Sequence, residues 1–156
     1  MIRLSKLTDY GIVLMTRFAV DGAVHTAREL ADDTGVPLPT VSKILKALAR
    51  EELLASHRGV KGGYNLARPA QEISVAQIIS VFEPIAMTEC TAIGPSFCEL
   101  EPTCPVRGNW QKIGLAIRNA LADLTLAEMT NPLPMVTARA NRGQLISTLS
   151  LSGKVQ

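Results

Sequence analysis

The sequence predicts a mainly α-helical protein, a winged helix-turn-helix with a two-stranded wing and a long C-terminal dimerisation helix. Three observations favour this class. Three amphipathic segments with helix caps follow one another in the first 50 residues, two short β-type segments then meet at a glycine-rich turn, and apolar residues recur in a heptad pattern further along. Helix, short helix, turn, helix and β ribbon is the order of elements in a winged helix-turn-helix.

The first two helices are predicted from apolar spacing and from their ends. Apolar residues at helical spacing indicate a first helix with Thr8 as its N-cap and an end near Gly22. A capping box at Thr26 then opens a second, short helix that stops at Gly35. The two helices and the turn after Gly35 lead directly into the third.

The third helix has an apolar face and a polar, cationic face. Its apolar residues recur three and four positions apart: Leu38, Val41, Ile44, Leu45 and Leu48. In a helix-turn-helix the second helix of the motif lies in the major groove of double-stranded DNA. We therefore expect Thr40, Ser42 and Lys43 in its leading turn to reach base edges, and Lys46 to contact phosphate. The alternative is an ordinary solvated face.

Residues 53–58 and 64–68 are predicted to be two short strands, joined by the glycine-rich turn 59–63. Arg58 precedes this turn and Lys61 lies within it, and both would contact DNA phosphates. Ser74 is predicted to cap a fourth helix, which Pro84 ends.

All three cysteines lie in the irregular segment 84–104, with the spacing Cys90-x7-Cys98-x5-Cys104. Their clustering indicates a shared role, and an odd number excludes complete disulfide pairing. Thiolates suit iron–sulfur clusters, zinc and copper(I). Zinc prefers four protein ligands in a structural site, and this segment offers no fourth Cys and no His. The alternative is that the cysteines are small buried apolar residues.

A long helix is predicted after this segment, with Pro105 at its first position and Cys104 at or beside its N-cap. Its apolar residues alternate four and three apart: Val106, Trp110, Ile113, Ile117, Ala120 and Leu124. This is a heptad seam, so we expect the helix to pair with a second copy of itself. A capping box at Thr125 opens one more short helix.

The expected organisation is therefore a DNA-binding domain at 1–83, a cysteine loop at 84–104, a dimerisation helix and short terminal helix at 105–130, and a flexible tail at 131–156. Net charge is uneven: residues 1–68 carry ten Lys or Arg and seven Asp or Glu, whereas residues 69–106 carry five acidic and no basic residues. The basic excess permits contact with nucleic acid without requiring it.

Composition and motifs argue against other classes of protein. The apolar fraction is 47%, but no apolar run is long enough to span a bilayer. The N-terminal segment does not resemble a signal peptide, so a cytoplasmic protein is expected. We find no Walker loop, nucleophile elbow or H-E-x-x-H pair, so an enzyme is not expected.

Four segments together resemble the IscR/NsrR/RirA family of bacterial regulators. They are LSKLTDY at 4–10, RGVKGGYNL at 58–66, the three-cysteine loop, and TLAE at 125–128. The resemblance implies a homodimeric winged-helix protein whose cysteine loop holds an iron–sulfur cluster and whose cluster state changes DNA affinity. The opening and the wing are most similar to the branch that regulates the SUF cluster-assembly operon.

The chain departs from this family pattern at two places. The first cysteine gap is seven residues, whereas five is usual in the IscR branch, and Arg107 stands where that branch has a histidine ligand. Asp9 matches an aspartate that completes the cluster across the dimer in some NsrR-type members. The resemblance thus implies ligation by Cys90, Cys98 and Cys104 of one chain and by Asp9 of the other. Alternatively, Asp9 is an ordinary first-turn helix charge.

The sequence therefore predicts a homodimeric transcription regulator that binds a pseudo-palindromic operator and senses cluster supply, oxidants or nitric oxide. Three thiolates with an oxygen or open position favour a [4Fe-4S] cluster over [2Fe-2S]. Two alternatives remain open: a thiol switch in which Cys98 and Cys104 form a disulfide, and a metal-free adaptor of the same fold that regulates by docking another enzyme.

Overall fold

The computed structural model describes residues 3–59, 62–88, 91 and 98–131. The helices are α1 (Lys6–Asp21), α2 (Ala27–Thr34), α3 (Leu38–Arg50), α4 (Val75–Ser80), α5 (Arg107–Asp123) and α6 (Leu126–Met129). Strands β1 (Leu54–His57) and β2 (Gly63–Leu66) pair antiparallel. Short 3₁₀ turns lie at Ala70–Glu72 and Glu101–Thr103. The predicted mainly α fold with a two-stranded ribbon is confirmed, and the strands are shorter than predicted.

The caps of α2, α4 and α6 form as the sequence predicts. Each cap is a reciprocal pair of hydrogen bonds. The hydroxyl of the cap residue (Thr26, Ser74 or Thr125) accepts from the backbone N–H of the residue three positions later, and the side chain of that later residue accepts from the backbone N–H of the cap residue. Gly22 and Gly35 are the C-caps of α1 and α2, with φ angles of 64° and 71°. Glycine tolerates this left-handed conformation at little cost, so both predicted helix ends are confirmed.

The predicted N-cap of the first helix is wrong. Ser5, not Thr8, caps α1, because the Ser5 hydroxyl accepts a hydrogen bond of 3.2 Å from the Thr8 N–H. Thr8 is a buried residue of the first turn, and its hydroxyl donates to Glu83 after α4. A tertiary contact therefore uses the hydroxyl that the sequence assigned to capping.

Two further helix boundaries differ from the prediction. Helix α4 ends at Ser80, four residues before Pro84. Helix α5 begins at Arg107 with Val106 as its N-cap, so Cys104 is not at the helix N-terminus. Cys104 instead ends the 3₁₀ turn Glu101–Thr103 with an extended backbone. The 3₁₀ turn and the turn at residues 105 and 106 therefore occupy the positions at which the sequence predicts the start of the helix.

The core lies among α1, α2, α3 and β1, with α4 and α6 closing it. The side chains with no exposed surface include Leu14, Met15, Phe18, Leu30, Ile44, Leu45, Leu48, Ile78 and Leu126. α1 approaches the end of α4 closely at Gly11, where an added Cβ would lie 2.5 Å from Phe82 Cε2. Glycine in the middle of α1 thus lets the Phe82 ring pack directly on the helix backbone.

Within the part of the chain that the structure describes, none of the helices is both long and apolar enough to cross a membrane.

Candidate nucleic-acid interface and cysteine loop

Helix α3 presents the polar face that the sequence predicts. Val41, Ile44, Leu45 and Leu48 are buried and Leu38 is partly buried, whereas Lys43 and Lys46 are exposed and Thr40 and Ser42 are half-buried. The first turn of α3 carries no acidic residue, whereas α1 and α2 each carry one there. The positive end of the α3 dipole is thus not neutralised by a carboxylate in its first turn, which suits a helix whose leading turn approaches phosphates.

The wing extends from β1 and β2 and depends on its glycines. Arg58 follows β1 and is exposed, while Lys61 lies outside the described residues. A Cβ at Gly62 would lie 2.7 Å from the His57 carbonyl oxygen, and one at Gly63 would lie 2.7 Å from the His25 carbonyl oxygen. The glycine-rich motif is therefore required by close backbone approach.

Two contacts hold the wing in place. The imidazole of His57 hydrogen-bonds the side chain of Asn65 across the two strands at 2.8 Å. His25 and Tyr64 exchange two backbone hydrogen bonds of 2.9 Å, which join β2 to the segment between α1 and α2. The wing is thus fixed relative to the helices that precede α3.

The described part of the cysteine loop holds Cys98 and Cys104, both partly exposed. The Cys98 carbonyl accepts from the Glu101 N–H at 3.1 Å, and the Cys104 carbonyl accepts from the Arg107 N–H at 3.3 Å. The first bond joins Cys98 to the 3₁₀ turn Glu101–Thr103, and the second joins Cys104 to the start of α5. Cys98 therefore lies before the 3₁₀ turn and Cys104 directly after it. Cys90 lies outside the described residues, among which no three His, Cys, Asp or Glu side chains are grouped to hold a metal ion.

Arg107, the first residue of α5, pairs with Glu101 of the preceding 3₁₀ turn. The Arg107 guanidinium lies 2.9 Å from the Glu101 carboxylate, and the glutamate side chain is only 19% exposed. A guanidinium is a donor without an acceptor, so Arg107 is not a substitute for a histidine ligand at this position. Its role in the structure is to connect the turn between the cysteines with the start of α5.

Asp9 is exposed in the first turn of α1, and a nearby carboxylate fastens that turn. Glu83 Oε1 accepts a hydrogen bond from the Ser5 N–H at 2.9 Å and another from the Thr8 hydroxyl. The bond from Thr8, followed by the one from Ser5, lowers the pKa of Glu83. Glu83 carries no signal in the sequence, because its partners lie more than 70 residues away in the chain.

We expect a Glu83→Gln variant to be less stable than the native protein by about 1 kcal/mol at pH 7, and by less at pH 3. Because folding lowers the pKa of Glu83 from its ordinary value of 4.5, its stabilising effect is present above that pH and is lost as the pH falls through the folded-state pKa. Urea unfolding of metal-free protein at both pH values measures the difference. A Glu99→Gln control in the exposed loop should show no such trend, and a pH-independent difference for Glu83→Gln would contradict the assignment.

Comparison with known proteins identifies the family of this fold. Residues 4–132 match the Rrf2 family, which is described as iron-dependent transcriptional regulators. The chain belongs to the Rrf2 family of transcriptional regulators. A Mycobacterium tuberculosis protein named as an HTH-type transcriptional regulator is 31% identical to this Rrf2-family protein over 131 residues, which cover 82% of the chain and 81% of that relative. These relatives are regulators rather than enzymes, which agrees with the expectation from sequence.

Solved structures share the fold of this Rrf2-family protein. CymR, the global cysteine regulator of B. subtilis, has a TM-score of 0.65 at 24% identity, and the match covers 83% of this chain and 97% of CymR. T. potens IscR has a TM-score of 0.63 at 26% identity, covering 82% and 85%. The oxidised form of Staphylococcus aureus CymR has a TM-score of 0.62 at 25% identity, covering 85% and 98%. IscR and CymR are matched about equally well, so the fold is common to both branches.

Proposed function

We propose that this Rrf2-family protein is a homodimeric DNA-binding regulator that senses iron–sulfur cluster status through its cysteine loop and controls genes of cluster assembly. The observation that carries the proposal is the pair of partly exposed cysteines, Cys98 and Cys104, one on each side of the 3₁₀ turn Glu101–Thr103 that precedes α5. The description of the family as iron-dependent and the similarity to an IscR structure support it.

The donor set fits an iron–sulfur cluster. Thiolates are the usual ligands of such clusters, and two of them lie six positions apart on a loop where partial exposure leaves room for ligation. Cys90 would be the third ligand and Asp9 of the partner subunit the fourth. A bound cluster would supply iron that reacts with oxidants or nitric oxide, and an oxygen ligand in the set favours [4Fe-4S] over [2Fe-2S].

The exposed apolar residues of α5 support a dimer. Gly114 is the only buried residue of this 17-residue helix. Val106 just before it is 46% exposed, Ile113 is 42% exposed and Leu124 just after it is 37% exposed, although all three belong to the predicted heptad seam. Pairing with a second copy would remove these side chains from water. We thus retain 105–130 as the dimerisation segment, between the cysteine loop 84–104 and a tail that lies almost wholly outside the described residues.

In the proposed complex, two copies of α3 enter successive major grooves of a pseudo-palindromic operator. Thr40, Ser42 and Lys43 would contact base edges from the leading turn. The three phosphate contacts would be Lys46 on α3 and the two basic residues of the wing, Arg58 and Lys61. The 1–83 domain would therefore supply the whole DNA-binding surface.

We expect Lys46→Ala to weaken binding to operator and random duplex alike, and Ser42→Ala to weaken binding to operator alone. A lost phosphate contact reduces the slope of log affinity against log salt by roughly one. A lost base contact costs about 1 to 3 kcal/mol at the preferred site and little elsewhere. Salt titrations on operator and random duplexes measure both effects. Lys43→Ala provides a second test of a base contact, and Arg58→Ala provides a second test of a phosphate contact.

A matched control is Lys112→Ala, which removes an exposed cation on α5, outside the 1–83 domain. It should leave both affinities unchanged. If Lys46→Ala changes sequence preference while the Ser42 and Lys43 variants behave like the native protein, the proposed orientation of α3 in the groove is wrong.

An Asp9→Ala variant is expected to remain dimeric but to lose its cluster several-fold faster in air, because an oxygen ligand from the partner subunit is removed. Asp9 is exposed, and Ser5 and Glu83 hold the first turn of α1 without it. The decay of visible absorption after exposure to oxygen measures the lifetime. Asp21→Ala, an acidic residue at the other end of α1, is the control. An unchanged cluster lifetime in Asp9→Ala would contradict the ligand role and leave Asp9 as a first-turn charge that interacts only with the helix dipole.

A thiol switch is the second candidate function, favoured by the partial exposure of Cys98 and Cys104 and by the similarity to an oxidised CymR structure. In that reaction the two thiols form one disulfide and release two protons, and an oxidant such as a peroxide accepts two electrons. Visible absorption with iron and sulfide analysis of anaerobically isolated protein tests the two functions. A coloured protein with both elements supports cluster sensing, and a colourless protein without either supports the switch.

A further inference from the structure

One arginine of α5 fastens the first part of the cysteine loop. Arg118 Nη1 donates to the carbonyl oxygen of Thr91 at 3.0 Å and to that of Ile85 at 3.3 Å. Thr91 directly follows Cys90 in the chain. The guanidinium therefore bridges two points of the loop, Ile85 before Cys90 in the chain and Thr91 after it.

Thr91 also closes the loop on itself. Its hydroxyl donates to the Thr88 carbonyl at 2.8 Å and accepts from the N–H groups of Met87 at 3.0 Å and Thr88 at 3.1 Å. Its own N–H donates to the Thr88 carbonyl at 2.9 Å. Thr91 is only 5% exposed, so these bonds are shielded from water. Residue 91 is thus held by the loop on one side and by Arg118 on the other.

Gly114 provides the surface on which Thr91 rests. It precedes Arg118 by four residues, so the two lie on one face of α5. A Cβ at position 114 would lie 3.2 Å from Thr91 Cβ, which is tighter than ordinary contact. The loop therefore lies directly on the helix backbone, and glycine at this position permits it.

The charge distribution makes Arg118 important for this contact. Residues 69–106 carry five acidic side chains and no Lys or Arg, so the segment has no cationic side chain of its own to satisfy its carbonyl groups. Arg118 supplies two donors from α5, and a guanidinium keeps its charge at any physiological pH. Loss of this side chain would leave two carbonyl groups without their donor from the helix.

We propose that Arg118 is a positioning residue of the cysteine loop. By holding residue 91 against Gly114, it fixes the backbone beside Cys90 relative to α5, so that cluster occupancy and the geometry of the dimerisation helix are coupled. The anchoring rests on the contacts above, and its regulatory meaning rests on the proposed cluster function. No ligand role is assigned to Arg118.

The anchor is tested by hydrogen exchange of metal-free protein with Arg118→Met, Arg118→Lys and the control Lys112→Met. We expect the amides of Met87, Thr88 and Thr91 to exchange at least tenfold faster in Arg118→Met, to be intermediate in Arg118→Lys, and to match the native protein in Lys112→Met. Amides of α1 and α3 should not change. Unchanged exchange at these three positions, or equally faster exchange throughout the chain, would overturn the inference.

The second measurement is the lifetime in air of the visible absorption after anaerobic reconstitution with ferrous iron and sulfide. We expect it to be several-fold shorter in Arg118→Met, with partial rescue in Arg118→Lys. If the native protein binds no cluster, the proposed function fails while hydrogen exchange still decides the anchor. If the native protein binds a cluster whose lifetime is the same in Arg118→Met, the positioning role is wrong although the proposed function stands.

Discussion

An Ile113→Lys variant is expected to be monomeric and to bind its operator roughly 10³-fold more weakly than the native protein. Ile113 lies on the heptad seam of α5 and is 42% exposed in the single chain, so lysine fits the monomer but places a charge inside the proposed dimer. A monomer presents only one α3 helix, and its affinity falls toward that of non-specific binding. Light scattering after size exclusion and fluorescence anisotropy with an operator duplex measure the two effects.

The matched control is Leu115→Lys. Leu115 is also on α5 and is 53% exposed, but it lies off the heptad seam. It should remain dimeric and bind operator like the native protein. A dimeric Ile113→Lys protein, or equal dissociation of both variants, would contradict the assignment of this face to the dimer.

Replacing any one of Cys90, Cys98 or Cys104 by Ala is expected to abolish the visible absorption of the anaerobic protein and to reduce bound iron to near zero. Each substitution removes one of only three thiolate ligands. Arg107 cannot replace it as a ligand, and the sequence has no histidine after His57. Iron and sulfide analysis with absorption spectra measures the loss.

Thr103→Ala is the control for these variants, because it removes an exposed hydroxyl from the same turn without removing a thiol. It should keep its colour and iron. Retention of both in all three single cysteine variants would contradict cluster ligation by these residues.

The features that sequence predicts well here depend on near neighbours in the chain. The capping boxes at Thr26 and Thr125 need only a hydroxyl and a carboxylate three residues apart, and both form. The two faces of α3 follow from a spacing of three and four residues, and four of its five predicted apolar positions are buried. Local backbone geometry determines these features, so tertiary structure does not change them.

The features that sequence misses depend on distant contacts. Thr8 is a good N-cap residue by type, but Glu83, 75 positions away, accepts from its hydroxyl, and Ser5 takes the cap. Arg118 and Gly114 look like ordinary helix residues until the fold brings Thr91 against them. Such roles depend on which segments meet in space, which spacing along the chain does not reveal.

The central claim is that cluster state controls DNA affinity, and operator titrations with and without the cluster test it most directly. Fluorescence anisotropy under anaerobic conditions would compare one reconstituted preparation before and after cluster removal, alongside a variant with all three cysteines replaced by Ala. Coupling between two sites in one protein is typically 5- to 150-fold in affinity, so we expect the native Kd to change by about 10-fold or more and that of the triple variant not to change. Equal operator affinity of the loaded and cluster-free native protein would contradict the claim.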